Sequence, residues 1–190
     1  MDGWNGERQI GKTLEDIEPK HVERYTYATQ HIREKVVLDA SCGIGYGSYI
    51  LSKVGFCVVS VDKSKEAIEY AYDHWKQSNI IYYVFDLESD SYFSLGMFDA
   101  IVSFETIEHL KPPIAETIKK FSEILTSGGM LVLSHPEDEK PPGGHFHCHT
   151  GIKTKELNNI LSQHGYNVIT EWMQKGRFYF PYHVVVARKK

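Results

Sequence analysis

Acids and histidines close the apolar runs of this 190-residue chain. Asp39, Asp62 and Asp86 each end a β-branched or aromatic stretch. Glu105, Glu108 and His109 follow a fourth run and His135 a fifth. Between the first two acids lies Ser41-Cys42-Gly43-Ile44-Gly45, a turn of small residues. Such a turn lets a ligand approach the backbone closely, and the helix after it offers N–H groups. A carboxylate about 20 residues past a glycine turn stands where a ribose diol is held, which assigns that role to Asp62. Asp86 can accept from an exocyclic purine amine, and the N–H of Leu87 can donate to the ring. The turn does not suit a pyrophosphate, because the charge of Asp39 repels phosphate and Gly43 and Gly45 miss the G-x-G-x-x-G spacing. A cationic nucleoside ligand fits better, and S-adenosylmethionine is one.

These residues need a scaffold that puts strand ends side by side. Val36–Asp39, Cys57–Asp62, Ile80–Asp86, Phe98–Phe104 and Met130–Ser134 read as strands. The first lacks polar alternation, as a strand buried on both faces does. Helices are expected at 19–33, 46–53, 65–77 (with Ser64 as N-cap), from Pro113 to about Leu125, and at 155–164, where Thr154 is the cap. Two more strands, 166–173 and 182–187, close the chain. Alternating strand and helix predicts an open α/β sheet whose ligands sit at the carboxyl ends of the strands.

One domain over 1–190 is expected, with 1–17 mobile and 135–153 a lid or acceptor loop. A net charge of −4 argues against a nucleic-acid footprint. Three cysteines imply no disulfide framework and a reducing, cytoplasmic setting. Met1–Gln9 is polar, unlike a signal peptide, and no apolar run approaches the ~20 residues of a membrane span.

The motifs Val37-Leu-Asp-Ala-Ser-Cys-Gly-Ile-Gly45, Val61-Asp-Lys-Ser64, Phe85-Asp-Leu87, Phe98-Asp-Ala-Ile-Val-Ser-Phe-Glu-Thr-Ile-Glu-His-Leu110 and Leu125-Thr-Ser-Gly-Gly-Met-Leu-Val-Leu-Ser-His-Pro136 stand in order. Together they resemble class I S-adenosylmethionine-dependent methyltransferases over about 25–166, most closely the small single-domain type associated with glycan biosynthesis. Ser41 replaces the first glycine of that family's G-x-G-x-G. The resemblance implies a Rossmann-like sheet of about seven strands, mostly parallel with the last antiparallel, and helices on both faces. It also implies that Asp39, Ser41, Gly43 and Gly45 shape the methionine end of the cofactor. Asp62 takes the ribose, Asp86 and Leu87 the adenine and the backbone near Phe104 the amino group, and Lys63 is also among the cofactor-binding residues.

Methyl transfer needs an acceptor and, for a hydroxyl, a base; Glu108, His109 and His135 are the candidates. A helical turn would set Glu105, Glu108 and His109 on one side, a divalent-metal set whose fourth ligand could come from the His145-Phe-His147-Cys-His149 stretch. That set resembles metal sites of small-RNA 3′-terminal 2′-O-methyltransferases and some ubiquinone-pathway O-methyltransferases, and the resemblance to the RNA group implies His149, five residues before Thr154, as the completing ligand. A metal is admitted but not expected, and the alternation His145, His147, His149 reads as a loop rather than a zinc site. The acceptor expected is a saccharide-type or small hydroxylated molecule. The alternatives are a metal-assisted RNA 2′-O-methyltransferase and a non-catalytic cofactor-binding subunit.

Overall fold

Strand and helix alternate from Val36 onward, as the β-branched runs and the helical periodicities between them require. The structure is a computed structural model, and it describes residues 10–33, 35–88, 92–137, 147–175 and 181–190. The elements are α1 (Pro19–Ala28), β1 (Val36–Ala40), α2 (Tyr46–Ser52), β2 (Cys57–Asp62), α3 (Lys65–His74), β3 (Ile80–Val84), β4 (Phe98–Ser103), α4 (Ile114–Ile124), β5 (Leu125–Pro136), α5 (Thr154–Gln163), β6 (Tyr166–Gln174) and β7 (Tyr182–Lys189). Short 3₁₀ turns lie at Leu14–Asp16 and Tyr92–Leu95. The sheet is seven-stranded and Rossmann-like, in the order β3-β2-β1-β4-β5-β7-β6. The pairs β1/β2, β2/β3 and β4/β5 are parallel, and β7 is antiparallel to both β5 and β6.

The chain divides into two compact units between Leu87 and Glu88. In the first, Val37, Leu38, Val58 and Val61 of the strands and Leu51, Ala67 and Ala71 of the helices are buried. Burying each larger apolar side chain contributes about 1.5–3 kcal/mol. Ser64 caps α3 as its residue type predicts, its hydroxyl accepting from the Ala67 N–H at 3.2 Å. In the second unit, α4 buries Ile114, Ile118, Phe121 and Ile124, and α5 buries Leu157 and Leu161.

Several boundaries differ from those expected. α1 stops at Ala28, not at 33, where the Thr26 and Thr29 hydroxyls turn back onto the carbonyls of Val22 and Thr26, each at 2.7 Å. The expected turn at 127–129 lies inside β5, where the register against β4 shifts between Phe98 and Ala100 and takes up the extra residues. α3 ends three residues early, at His74, and buried Trp75 follows as its C-cap. β3 ends at Val84, so Asp86 stands two residues beyond it, although the Phe85 N–H still bonds to the Asp62 carbonyl. Thr154 begins α5 rather than capping it: Lys153 is the N-cap, and Thr154 bonds instead to Glu137. Of the segment expected to be mobile, residues 10–17 hold a 3₁₀ turn. There the Asp16 carboxylate accepts from the Lys12 and Thr13 N–H groups, and Ile17 is buried. Residues 1–9, the middle of the expected lid (138–146, including His145) and 176–180 lie outside the described residues.

Candidate functional site

The turn between β1 and α2 is built from left-handed backbone. Ser41, Gly43 and Gly45 have φ of 66°, 55° and 92°, conformations an L side chain adopts only at a cost. The two glycines are required for different reasons. A Cβ on Gly45 would come within 2.7 Å of the Ala71 Cβ and 2.8 Å of the Tyr82 hydroxyl, whereas one on Gly43 would meet nothing within 4 Å. Gly45 is thus a packing glycine. Gly43 leaves its backbone exposed to approach, as a ligand-cradling turn needs. Gly47 admits the ring of Tyr25, which would lie 2.1 Å from a Cβ there.

Two carboxylates lock this turn. Asp62 accepts from the Gly43 N–H at 3.0 Å through Oδ2 and from the Ser64 N–H at 2.9 Å through Oδ1, tying the turn after β1 to the start of α3. Asp39 is wholly buried and accepts from the Tyr25 hydroxyl at 3.1 Å and the Ser48 hydroxyl at 2.6 Å. Burial pushes its carboxyl up to about 7, against the pull of those two hydroxyls and with the charge of Asp62 adding to the rise. Asp39 therefore joins α1, β1 and α2 through its hydrogen bonds and shapes the turn from below. Neither Tyr25 nor Ser48 was singled out as its partner from sequence. Cys42 is buried, and burial followed by the charges of Asp39 and Asp62 raises its thiol well above the usual range, so it packs as a protonated thiol. Lys63 and Asp86 are exposed at the ends of β2 and β3, and Leu87 is buried.

The second unit carries the remaining candidates. Phe104 is buried just past β4. Glu105 has φ 49° and donates its N–H to the Ser134 hydroxyl at 3.2 Å, so no helical turn begins there. The structure instead gathers Glu108, His109 and His147, whose ligand atoms lie within 4.8 Å of one another. The His109 and His147 rings meet edge to face at 4.5 Å. His149 is turned elsewhere, its Nε2 donating to the Pro112 carbonyl at 2.9 Å. The peptide N–H groups of Cys148 and His149 both donate to the Glu108 carbonyl, which pins this stretch beside the 106–109 turn. Of the two described histidines of this run, His147 thus takes the place expected of His149, because that docking decides which of the two imidazoles faces Glu108.

His135 is wholly buried, and both of its ring nitrogens are engaged, by the Pro136 carbonyl at 3.1 Å and by His183 Nδ1 at 3.1 Å. Burial lowers its pKa to about 4. His183 in turn donates from Nε2 to Glu171 at 2.9 Å. The His183 partnership depends on strand register and had no local sequence signal.

The methyltransferase-domain family model matches residues 20–171. A ubiquinone biosynthesis O-methyltransferase of Xanthomonas oryzae pv. oryzae is 30% identical over 125 residues, 65% of this chain and 52% of the relative. The chain thus spans about half the length of the curated relatives it matches. Among solved structures, the N-methyltransferase NodS of Bradyrhizobium japonicum WM9 in complex with S-adenosyl-L-homocysteine superposes with a TM-score of 0.75 at 18% identity, over 90% of this chain and 86% of that one. Magnesium protoporphyrin IX methyltransferase of Synechocystis PCC 6803 with bound S-adenosylmethionine gives 0.66 at 21%, over 90% and 77%. The [4+2]-cyclase SpnF gives 0.72 at 14%, over 90% and 82%. Likeness at these identities is likeness of fold, shared by proteins that run different reactions.

Proposed function

The chain belongs to the methyltransferase-domain family, and from that premise we propose that it moves a methyl group from S-adenosylmethionine to a hydroxyl of a small hydroxylated or saccharide-type acceptor. The observation that carries this reading is the Gly43 turn: left-handed, open where a Cβ would stand, and tied by its N–H to Asp62. Those residues fit the cofactor. Each Asp62 oxygen has two lone pairs, so the carboxylate can accept ribose hydroxyls as well as the two N–H groups. Asp86 and Leu87 take the adenine, Lys63 flanks the ribose, and Ser41 and Gly45 set the path of the turn, with Asp39 acting through Tyr25 and Ser48. The cofactor supplies the electrophilic methyl when bound, so the protein mainly orients the acceptor and receives its proton. His109, half-buried against His147, and Glu108 are the candidate bases. His135, with both ring nitrogens engaged, is withdrawn from that role.

Oxygen as the receiving atom is supported by the ubiquinone biosynthesis O-methyltransferases among the relatives. The test is calorimetric titration of the purified chain with S-adenosylhomocysteine and with NAD, then transfer of labelled methyl to phenolic and saccharide acceptors. Heat with the first ligand and an alkali-stable ether product are expected; heat with NAD alone would overturn the reading. Binding without turnover on any acceptor would favour a non-catalytic subunit. A metal-assisted reaction, including RNA 2′-O-methylation, draws support from the Glu108, His109 and His147 group. These residues would hold the ion, which would lower the pKa of an acceptor hydroxyl. Activity that survives chelation counts against it, as does the net charge of −4 for an RNA substrate.

A further inference from the structure

We propose that the ends of β5 and β7 form a site for one divalent transition-metal ion, held by Nε2 of His135, Nδ1 of His183 and the carboxylate of Glu137. It is separate from the Glu108 group and independent of the methyltransferase reading. Counting protons on the two imidazoles leads to it. Nδ1 of His135 lies 3.1 Å from the Pro136 carbonyl, and a carbonyl only accepts, so Nδ1 bears the hydrogen. Nε2 of His183 lies 2.9 Å from Glu171 Oε1, and a carboxylate only accepts, so Nε2 bears the hydrogen there. A neutral imidazole has one N–H. The remaining nitrogens, His135 Nε2 and His183 Nδ1, then face each other at 3.1 Å as two lone pairs, on two wholly buried rings. Something positive must lie between them, either one extra proton or a cation.

A third ligand favours the cation: a shared proton needs only the two nitrogens, whereas an ion also takes up the carboxylate of Glu137. Glu171 is exposed, so water screens its charge. The Glu137 ligand oxygen and the two facing imidazoles fall within 4.8 Å of one another. Two nitrogens on one tetrahedral ion, each ~2.0–2.1 Å from it, are about 3.3 Å apart, so the observed pair needs to open by only about 0.2 Å. The outer hydrogen bonds are those of ligating histidines, which give their second N–H to a carbonyl or carboxylate. Two imidazoles and one carboxylate suit Zn²⁺, Co²⁺ or Ni²⁺ rather than Mg²⁺ or Ca²⁺.

The sheet builds this group directly. His135 and His183 are register partners across β5 and β7. Glu137 lies two residues beyond His135, just past the end of β5 at Pro136. Glu171 lies two residues before Met173, which is paired with His183 across β6 and β7. Glu137 also accepts from the Thr154 N–H at 3.0 Å and its hydroxyl at 2.7 Å. A bound ion would therefore tie β5 and β7 to the start of α5.

The test uses the full chain, stripped with a chelator and titrated with Co²⁺ and then Zn²⁺. One equivalent of Co²⁺ should give the intense visible bands of a tetrahedral site, which Zn²⁺ removes, and Zn²⁺ should raise the melting temperature. His135→Gln and His183→Gln should each weaken binding at least tenfold, while His147→Ala should keep it. Because the buried variants could fail to fold, histidine ¹⁵N spectra of the unaltered chain give a second reading, in which Zn²⁺ should shift His135 Nε2 and His183 Nδ1. No binding by the folded chain, or binding lost in His147→Ala and kept in His183→Gln, would overturn the proposal. So would a His183 spectrum of a doubly protonated ring that Zn²⁺ leaves unchanged, which is the shared-proton arrangement.

Discussion

Replacing Asp62 tests the cofactor turn most directly, because one carboxylate serves two structural bonds and the proposed ribose contact. Asp62→Ala removes the acceptors of the Gly43 and Ser64 N–H groups, at 3.0 and 2.9 Å. Hydrogen bonds to a charged group contribute about 1.5–3 kcal/mol each. Both sites are part-buried and water can replace part of the loss, so a stability decrease of about 2–4 kcal/mol is expected from urea unfolding. The lost ribose contact costs about 1.5–3 kcal/mol of binding, a rise of roughly 10- to 150-fold in the dissociation constant for S-adenosylhomocysteine. Asp62→Asn should be nearly as damaging, since its NH₂ would have to face one of the two N–H donors. The assay is calorimetric titration at a temperature where circular dichroism shows each variant folded. A folded Asp62→Ala protein that binds S-adenosylhomocysteine within twofold of the parent would refute the assignment of Asp62 to the ribose.

The two turn glycines should separate folding from binding. Gly45→Ala combines φ 92° with a Cβ 2.7 Å from that of Ala71 and should cost about 2–4 kcal/mol in unfolding experiments. Gly43→Ala meets no atom within 4 Å and should cost only about 1 kcal/mol of stability. Its effect on S-adenosylhomocysteine affinity should be the larger one, and equal losses in both assays would count against the open-turn reading. His21 supplies a pH test. Burial, then the charge of Arg24, lowers its pKa from 6.5 to about 3, and its Nδ1 lies 3.0 Å from the Tyr46 hydroxyl. Between those values the unfolded chain binds more protons at this residue, so its contribution to stability should fall as pH drops below 6.5, by on the order of 1 kcal/mol per unit, and level off near 3; Asp39, with its raised carboxyl, contributes with the opposite sign. Urea midpoints across pH 4–8 for the parent and His21→Gln should show a shallower acid limb in the variant; identical slopes would mean that His21 is not the titrating group.

Much of the first unit was legible locally. The apolar run Val36–Ala40, the small residues of the turn, and the β-branched run ending in Asp62 each declare themselves within a few positions, because backbone propensity and side-chain period are short-range properties. Ser64 as the cap of α3 was readable for the same reason. Element ends were less so: α1 stops where two threonine hydroxyls bend back to its carbonyls, and β5 begins early because a bulge absorbs Ser127-Gly128-Gly129. Glu105 misled as the start of a helical turn, since its left-handed backbone belongs to a tight bend held by Ser134.

The order of strands and helices, the acids at the strand ends, the glycine turn and the family to which they belong follow from the amino-acid sequence, since all depend on residues close together along the chain. Which groups meet was decided by tertiary structure. Asp39 finds Tyr25 fourteen residues away on α1. His147 rather than His149 faces Glu108 because the peptide N–H groups of Cys148 and His149 dock on the Glu108 carbonyl. His135 meets His183 across 48 residues only because β7 pairs antiparallel with β5 in one particular register. A shift of that register by one residue would turn every side chain of β7 to the opposite face, and no local pattern specifies the partner strand.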